Sequence, residues 1–177
     1  WGELPGNAPC SVGHRQSPIA LVSSGPGAAT PATTPVDSFA YQPSRISLVN
    51  NGHTVQEEYE AGSSLSEAGV TYTLRQFHFH APSEHTVDGV SFPLEMHLVH
   101  LDAAGKPALV VGVLVKEGRP NPAFDALFAR LPQHSGEKIE PAGGKVDAAR
   151  ILPANRSFFD YDGSLTTPPC TEDIRWR

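Results

Sequence analysis

The sequence lacks the features that mark a membrane-spanning or nucleic-acid-binding protein. No apolar run in its 177 residues is long enough to cross a bilayer. The 13 Lys and Arg residues form no basic cluster, and 19 Asp and Glu residues give a net charge of -6. Both observations argue against a nucleic-acid partner. The 39% hydrophobic content is ordinary for one folded domain with a real core.

Internal repeats are also absent, and low complexity is confined to residues 23–35, which are rich in Gly, Ala, Thr and Pro. We expect this segment to be a surface loop within one domain. Helix signals are sparse, and the best candidate begins at Asn121 as N-cap with Pro122 in the first turn. Its apolar stripe, expected to pack on the core, comprises Phe124, Leu127, Phe128 and Leu131.

Strand signals predominate along the rest of the chain. Branched and aromatic residues between turn signals predict strands over residues 46–50, 70–80, 94–101 and 108–116. The last of these segments is apolar on both faces, which is typical of a buried central strand. The pattern therefore predicts a mainly β protein.

Three histidines give the sharpest chemical signal. His78 and His80 lie two apart in one predicted strand, and His97 lies in the next. Residues two apart share a strand face at a spacing of about 6.6 Å, so both imidazoles can reach one ion. The prolines and Gly89 within 81–93 can turn the chain back to supply the third. Three protein ligands leave one zinc position open, as in catalytic rather than structural sites.

Two polar residues beside the histidines favour the metal site over the alternatives. A His-x-His pair alone is as readily a surface feature or a pair of hydrogen-bonded core histidines. However, Gln76 precedes His78 by two residues, and Glu95 precedes His97 by two. A metal-bound imidazole usually donates its other N–H to an amide, carboxylate or carbonyl. We therefore expect Gln76 and Glu95 to orient these ligands, and a buried Glu95 without such a partner would be costly.

Four separated segments carry a wider pattern. They are Gln16-Ser17-Pro18-Ile19, then Asn50-Asn51-Gly52-His53-Thr54-Val55, then the run from Gln76 through Glu84-His85-Thr86-Val87-Asp88 to His97-Leu98-Val99-His100, and last Gly163-Ser164-Leu165-Thr166-Thr167-Pro168-Pro169. In order and spacing they resemble an α-class carbonic anhydrase of the secreted or periplasmic bacterial type. The resemblance implies one domain over 1–177 with a mainly β (α+β) fold, in which a large, twisted, mostly antiparallel sheet carries a few short surface helices.

The resemblance also implies a cofactor and a reaction. Zinc (Zn2+) would be held by His78, His80 and His97, and zinc-bound hydroxide would hydrate carbon dioxide reversibly to bicarbonate and a proton. The bound water of carbonic anhydrases has a pKa of about 7, a property of that enzyme class and not of this sequence. Thr166 would accept a hydrogen bond from the hydroxide and donate its proton to Glu84, because an ionised carboxylate only accepts. Outside this constellation, Thr166 reads as a cap or turn residue and Glu84 as a surface carboxylate.

Substrate binding and proton release are assigned by the same resemblance. Carbon dioxide is apolar and needs a small apolar wall beside the metal. The matching positions, each of which could equally be ordinary core or turn, are Val99, Val110, Leu165, Thr167, Ile174 and Trp176. By the resemblance, His53 matches the family's proton-shuttle position. It follows a turn signal that would place it near solvent, and imidazole as a side-chain type titrates near ambient pH. A lone histidine there would more often be an idle surface residue. His85 and His100 match positions that look structural.

Two alternatives belong to other classes. His78 and His80 followed by Glu84 also resemble the first metal motif of cupins, β-barrels that often bind iron or manganese. That motif expects a glycine where this chain has Tyr72, and His97 lacks the Pro-x-Gly that precedes the last cupin histidine. The other alternative is a non-catalytic carbonic-anhydrase-like binding module. Such proteins typically have damaged zinc ligands, whereas all three are intact here.

The chain is short at both ends compared with members of this family. Family members continue for several tens of residues beyond Trp176 and begin before Trp1, so the resemblance implies a chain shortened at both ends, and an inactive fragment is a further alternative.

Cys10 and Cys170 match a disulfide of secreted or periplasmic members, the alternative being two free thiols. It would close a 160-residue loop, worth roughly 5 kcal/mol in a chain-entropy estimate, and it implies a secreted or periplasmic location.

The implied partners are carbon dioxide and bicarbonate, together with sulfonamide and anion inhibitors of the metal site. The resemblance implies neither nucleic acid nor a membrane span, and it is compatible with a homodimer.

Overall fold

The computed structural model describes residues 1–24 and 38–177, and strands dominate them. The strands are β1 Ala20–Leu21, β2 Ser38–Ala40, β3 Ser44–Arg45, β4 Leu48–Asn50, β5 Val55–Glu58, β6 Ser64–Glu67, β7 Val70–His80, β8 Thr86–Val87, β9 Val90–Ser91, β10 Leu94–Leu101, β11 Pro107–Val115, β12 Lys138–Ile139, β13 Lys145–Val146, β14 Tyr161–Ser164 and β15 Glu172–Trp176. The helices are α1 Pro9–Val12, α2 Pro122–Phe128 and α3 Ala148–Ile151. From residue 25 onward, the expected loop over 23–35 lies outside the described residues.

One large sheet organises the molecule. Its order is β12-β4-β5-β7-β10-β11-β15-β14, and β6 joins it by pairing with β7, with β2 beyond. The pairing of β11 with β15 is parallel, and the other pairings in this sheet are antiparallel. The prediction of a large, mostly antiparallel sheet with a few short helices is therefore confirmed.

Two of the four predicted strands have the predicted bounds, one is displaced by a single residue, and one begins later than expected. Strands β7 and β10 have the predicted bounds, and β11 begins one residue earlier than expected. The predicted strand over 46–50 is wrong at its start, because β4 begins only at Leu48. Ile46 donates its N–H to Gly144, and the N–H of Ser47 bonds the Glu57 carboxyl group. These bonds take the place of ladder bonds for both residues.

The strand alternation divides the sheet into two faces. Phe77 pairs with Leu98 and both are fully buried in the main hydrophobic core, which α2 and α3 cover with Leu127 and Ile151. His78 pairs with His97 on the opposite face. That face holds a second, smaller apolar cluster. The histidines therefore lie on the side of the sheet away from the main core.

Helix α2 forms where the sequence predicts it. The Asn121 side chain accepts a hydrogen bond from the Ala123 N–H at 3.1 Å, and Pro122 opens the helix. Leu127 is fully buried, but Phe128 is 41% exposed and lies at the edge of the predicted stripe. Its ring stacks on that of Phe124, with centroids 5.4 Å apart, and its centroid lies 5.2 Å from that of Phe79, which packs against the core.

A disulfide joins Cys10 to Cys170 across 160 residues, as predicted. The Gln16 side-chain amide donates to the carbonyl of Cys170 at 3.3 Å and to the Glu172 carboxylate at 3.1 Å. The N-terminal segment is thus fastened to the chain that follows Thr166. Within residues 1–24 and 38–177, none of the helices combines the length and the apolar character that crossing a bilayer requires.

Candidate metal centre

Strand register brings the three predicted ligands together. His97 on β10 stands directly opposite His78 on β7, and His80 follows on the same face. The ring centroids are 5.3 Å apart for His78 and His97, 5.0 Å for His78 and His80, and 4.6 Å for His80 and His97. One nitrogen of each ring lies within 4.8 Å of the others. The three imidazoles can therefore reach a single ion.

Hydrogen bonds select which nitrogen of each ring remains free. Nδ1 of His78 lies 2.8 Å from Oε1 of Gln76, and Nε2 of His97 lies 2.7 Å from Oε1 of Glu95. Since both acceptors are oxygens, both nitrogens are donors, and the other nitrogen of each ring is left with a lone pair. Nε2 of His80 is buried and has no hydrogen-bond partner among the described residues. The ligand-orienting roles expected of Gln76 and Glu95 thus have the required geometry.

All three imidazoles are held in the neutral form that binds metal. Burial, together with the nearby His97 and His80 rings, lowers the pKa of His78 to about 3. Burial also lowers the pKa of His80 and of His97, in the latter case against the opposing effect of the hydrogen bond to Glu95. Because metal binding requires unprotonated imidazole, the site is ready for a cation without a proton leaving a ring. The donor set of three imidazole nitrogens suits zinc.

Each oxygen of the Glu95 carboxylate accepts two hydrogen bonds. Oε1 accepts from His85 Nδ1 at 2.6 Å and from His97 Nε2, and Oε2 accepts from the backbone N–H groups of Glu84 and His85, each at 2.9 Å. Burial alone would raise the pKa of Glu95, but these hydrogen bonds outweigh it and hold the pKa far below its ordinary range. Although His85, Glu95 and His97 also lie close enough to hold an ion, their facing atoms are committed to one another.

Glu84 and Thr166 lie beside the histidines. Oε1 of Glu84 is 3.4 Å from His80 Nδ1, and Oε2 is 4.0 Å from His97 Nδ1. Burial raises the pKa of Glu84, and hydrogen bonding with the buried Thr166 side chain opposes that rise. The Thr166 contact falls short of a well-formed hydrogen bond, since Oε2 of Glu84 is buried without a partner in the part of the chain described. The predicted pair is therefore adjacent in the structure.

Five of the six predicted wall residues form one apolar cluster. Its members are Val99, Val110, Ile174 and Trp176, with Leu165 packed against them. The Trp176 ring meets the His97 ring edge-on, with centroids 4.8 Å apart, so the cluster reaches the metal site. Thr167 is half-buried next to Thr166, and its carbonyl accepts from the Cys170 N–H at 2.9 Å.

His53 lies in the predicted turn and is exposed. Asn51 Oδ1 accepts from the N–H groups of His53 and Thr54 at 3.0 and 2.9 Å, and Gly52 has a φ of 87°, a conformation that favours glycine. The Thr54 hydroxyl donates to the carbonyl of Phe79, the residue between two of the histidines. The loop that presents His53 is thereby anchored to the strand of the metal site.

Sequence reasoning missed two residues of this region. Ser17 Oγ and the Tyr161 hydroxyl lie 2.8 Å apart, and that hydroxyl lies 2.6 Å from His85 Nε2. Ser17 falls in a recognised motif, but nothing in that motif indicates its partner 144 residues away. Tyr161 falls in none of the recognised segments, so no local signal was available for it.

Comparisons with known proteins agree with this arrangement. The profile of eukaryotic-type carbonic anhydrases matches residues 1–177. A carbonic anhydrase of a Nostoc species is 41% identical over 99% of this chain and 67% of its own length, and one of Neisseria gonorrhoeae is 40% identical over 99% and 68%. The α-carbonic anhydrase of Thermovibrio ammonificans, solved with the inhibitor sulfanilamide, superposes with a TM-score of 0.90 at 40% identity, over 99% of this chain and 76% of that one. This chain belongs to the α-carbonic anhydrase family.

Proposed function

We propose that His78, His80 and His97 hold a catalytic zinc ion with which this chain hydrates carbon dioxide reversibly to bicarbonate and a proton. The observation that supports this ligand set is the buried Nε2 of His80, which has no hydrogen-bond partner within residues 1–24 and 38–177. It lies beside two imidazoles whose other nitrogens already donate to Gln76 and Glu95. When bound, zinc supplies a Lewis acid that makes water a strong nucleophile near neutral pH.

Thr166 and Glu84 orient the attacking oxygen. An ionised Glu84 only accepts, so the Thr166 hydroxyl donates to it and is left to accept a hydrogen bond from the nucleophile. A hydroxyl held in one orientation favours a single direction of attack. The buried position of Thr166 and its effect on the pKa of Glu84 support this assignment.

The apolar cluster of Val99, Val110, Leu165, Ile174 and Trp176 forms the substrate wall, with Thr167 beside it. Carbon dioxide has no dipole and gains little from polar contacts, so an apolar surface next to the metal holds it without competing hydrogen bonds. The edge-on contact of Trp176 with His97 supports this position for the wall.

His53 carries the released proton to solvent. Its turn is exposed, and its backbone is fixed by Asn51 and by the anchoring of Thr54 to Phe79. Histidine as a side-chain type titrates near ambient pH, which suits a group that must both accept and release a proton. The Trp1 ring meets the His53 ring edge-on at 5.1 Å and supports one side of the imidazole.

Two wider proposals accompany the catalytic one. Because a relative of similar structure is solved with sulfanilamide, we expect primary sulfonamides and small anions to inhibit this chain at the metal. Because stable disulfides form in oxidising compartments, the bond between Cys10 and Cys170 supports a secreted or periplasmic location.

The test combines zinc stoichiometry with stopped-flow hydration of carbon dioxide, with and without sulfanilamide. We expect one zinc per chain and sulfonamide-sensitive hydration, and we expect His97→Ala to lose both. His134→Ala, an exposed histidine outside the site, is the matched control and should keep both. Bound zinc without hydration would favour the non-catalytic binding module, and wild-type zinc binding in His97→Ala would refute the ligand set.

A further inference from the structure

We infer that Glu67 is a positioning residue for Trp176, and that it acts from the opposite side of the sheet by binding both arginines that flank this tryptophan. We call Glu67, Arg175 and Arg177 the Glu67 clamp. The inference rests on the proposed function, in which Trp176 belongs to the substrate wall, and it gives a role to a carboxylate that lies outside the metal centre.

The clamp is made of close contacts between charged groups. Nε and Nη2 of Arg177 lie 2.6 and 2.8 Å from the two carboxylate oxygens of Glu67, which is a bidentate pairing. Nη1 of Arg175 lies 3.1 Å from Oε2 of the same carboxylate. The side chains of Glu67 and Arg177 are 0% and 2% exposed. Because solvent screens buried pairs only weakly, this pairing fixes both the position and the orientation of the guanidinium group.

The Arg177 side chain is held by further contacts. Its Nη1 bonds the Asp160 carboxylate and donates to the carbonyl of Trp176 at 2.8 Å. Its guanidinium carbon lies over the ring of Phe158, 5.6 Å from the centroid. The two guanidinium groups of the clamp thus face two carboxylates, as buried charges require when water is excluded. One of these contacts is made directly to the backbone of Trp176.

The clamp joins strands that are distant in the sheet. Glu67 is the last residue of β6, and the two arginines lie at the end of β15 and directly after it. Strands β7, β10 and β11 separate β6 from β15 in the sheet order. Leu65, two residues before Glu67, and Leu109, which pairs with Arg175, both belong to the main core. Glu67 therefore reaches β15 across the core-side face, and not through a ladder of backbone hydrogen bonds.

Strand alternation transmits the constraint to the metal side. Arg175 and Arg177 point to the core-side face, so Trp176 between them points to the other. There it belongs to the smaller apolar cluster, and its ring meets the His97 ring with centroids 4.8 Å apart. A residue whose two neighbours are both fixed has little freedom to rotate its backbone. The clamp therefore fixes the direction in which the Trp176 side chain leaves the strand.

Backbone pairing constrains this end of β15 only in part. The register between β11 and β15 comprises two residue pairs, the second being Val110 with Trp176. Arg177 adds one backbone hydrogen bond to β11 and accepts one from it. Strand β14, which pairs with β15 on the other side, is the last strand in the sheet order. The side-chain contacts of the clamp therefore connect this segment to the interior of the sheet.

The first test is the fluorescence of Trp176 in Glu67→Gln, which keeps the shape of the side chain and removes its charge. The chain has two tryptophans, so emission in a Trp1→Phe background reports Trp176 alone. The Trp176 residue is 3% exposed. We expect Glu67→Gln to shift its emission to the red and to make quenching by acrylamide faster, because the released ring becomes accessible to water.

The second test is kinetic and keeps Trp1. We expect kcat/KM for carbon dioxide hydration by Glu67→Gln to fall by about tenfold, less than the roughly 100-fold that a displacement of about 1 Å can cost. The increase in KM should exceed the decrease in kcat, because the wall binds the substrate and does not take part in the chemical step. Zinc content should stay at the wild-type value, since Glu67 is not one of the proposed ligands.

Two control variants separate positioning from a general loss of stability. Glu60→Gln also removes a carboxylate that pairs with an arginine, but this pair with Arg45 is exposed. Leu65→Val removes buried volume from the same strand and leaves the charges of the clamp in place. Both variants should keep the wild-type emission, quenching and kcat/KM, although Leu65→Val should be less stable. A merely structural role for Glu67 would make Glu67→Gln behave like Leu65→Val.

The inference is overturned if folded Glu67→Gln keeps the wild-type emission, quenching and kcat/KM. Should that variant fail to fold, Arg175→Gln decides by the same readouts, because it removes only the half-exposed arm of the clamp. Failure of the proposed function would look different, since the wild type itself would then show no hydration. In that case the emission and quenching of Trp176 still decide whether Glu67 positions its ring.

Discussion

Gln76 Oε1 lies 2.8 Å from His78 Nδ1, so a residue two positions before the proposed ligand decides which of its ring nitrogens is free. The two side chains share one face of β7 because side chains alternate along a strand. The amide oxygen can only accept, and the His78 ring therefore presents Nε2 to the metal site.

Gln76→Leu should weaken zinc binding by roughly 10- to 100-fold, the range found when an outer-shell partner of a metal ligand is removed. Leucine fills similar space but offers no acceptor, so the imidazole can rotate or change tautomer. Chelator competition followed by metal analysis measures the effect. Gln42→Leu, at an exposed position, is the control. An unchanged zinc affinity in Gln76→Leu would contradict the orienting role.

His53→Ala should lower the turnover number by about 100-fold or more in weak buffer, because proton release to solvent then lacks its relay. Hydration should recover when imidazole is added, since a diffusing base can take the proton instead. Stopped-flow assays across a range of buffer concentrations measure both effects. If imidazole failed to restore turnover, the shuttle role of His53 would lose its main support.

Thr166→Val should reduce kcat/KM by about 100-fold, because an oriented hydrogen bond to the reacting oxygen is lost. Zinc content should not change, since Thr166 is not one of the proposed ligands. Thr166→Ser retains the hydroxyl and should keep most of the activity. Equal losses in the valine and serine variants would show that packing, and not the hydroxyl, is what matters at this position.

Replacing Cys10 and Cys170 together by serine should lower the free energy of unfolding by roughly 2 to 5 kcal/mol, because the unfolded chain loses a cross-link that spans 160 residues. Urea unfolding measures the change. A reducing agent should destabilise the wild type by a similar amount and leave the double variant unaffected. Identical midpoints for the oxidised wild type and the variant would contradict the prediction.

Glu57 should make the folded protein less stable as the pH rises. Burial raises the pKa of Glu57 from 4.5 to about 8, despite the hydrogen bonds from the Ser47 N–H. Between these values the folded protein holds a proton that the unfolded chain releases, so this residue's contribution to stability falls as the pH rises through the window. Over that window the loss is on the order of 5 kcal/mol.

The measurement is urea unfolding at several pH values from 5 to 8. Glu57→Gln cannot ionise, so we expect it to lose less stability than the wild type as the pH rises. Glu58→Gln, on the same strand but half-exposed and facing Lys138, is the control and should keep the wild-type dependence. Parallel pH curves for the wild type and Glu57→Gln would refute the prediction.

Much of the site could be predicted because its signals are local. A period of two residues places His78 and His80 on one face and puts Gln76 beside them, whatever the rest of the fold does. The Asn121 cap and the bounds of β7 and β10 depend on neighbouring residues in the same way. The family pattern supplied the pairing of Cys10 with Cys170, which no local rule could give.

The sequence by itself determined which residues are proposed to carry the chemistry, the alternation that faces them one way, and the family to which the chain belongs. Only the tertiary structure decided how their protons are arranged. Tyr161 meets His85 across 76 residues and Ser17 across 144. Such contacts depend on strand register and on the packing of distant segments, and a hydrogen bond between remote side chains leaves no periodic trace in either segment.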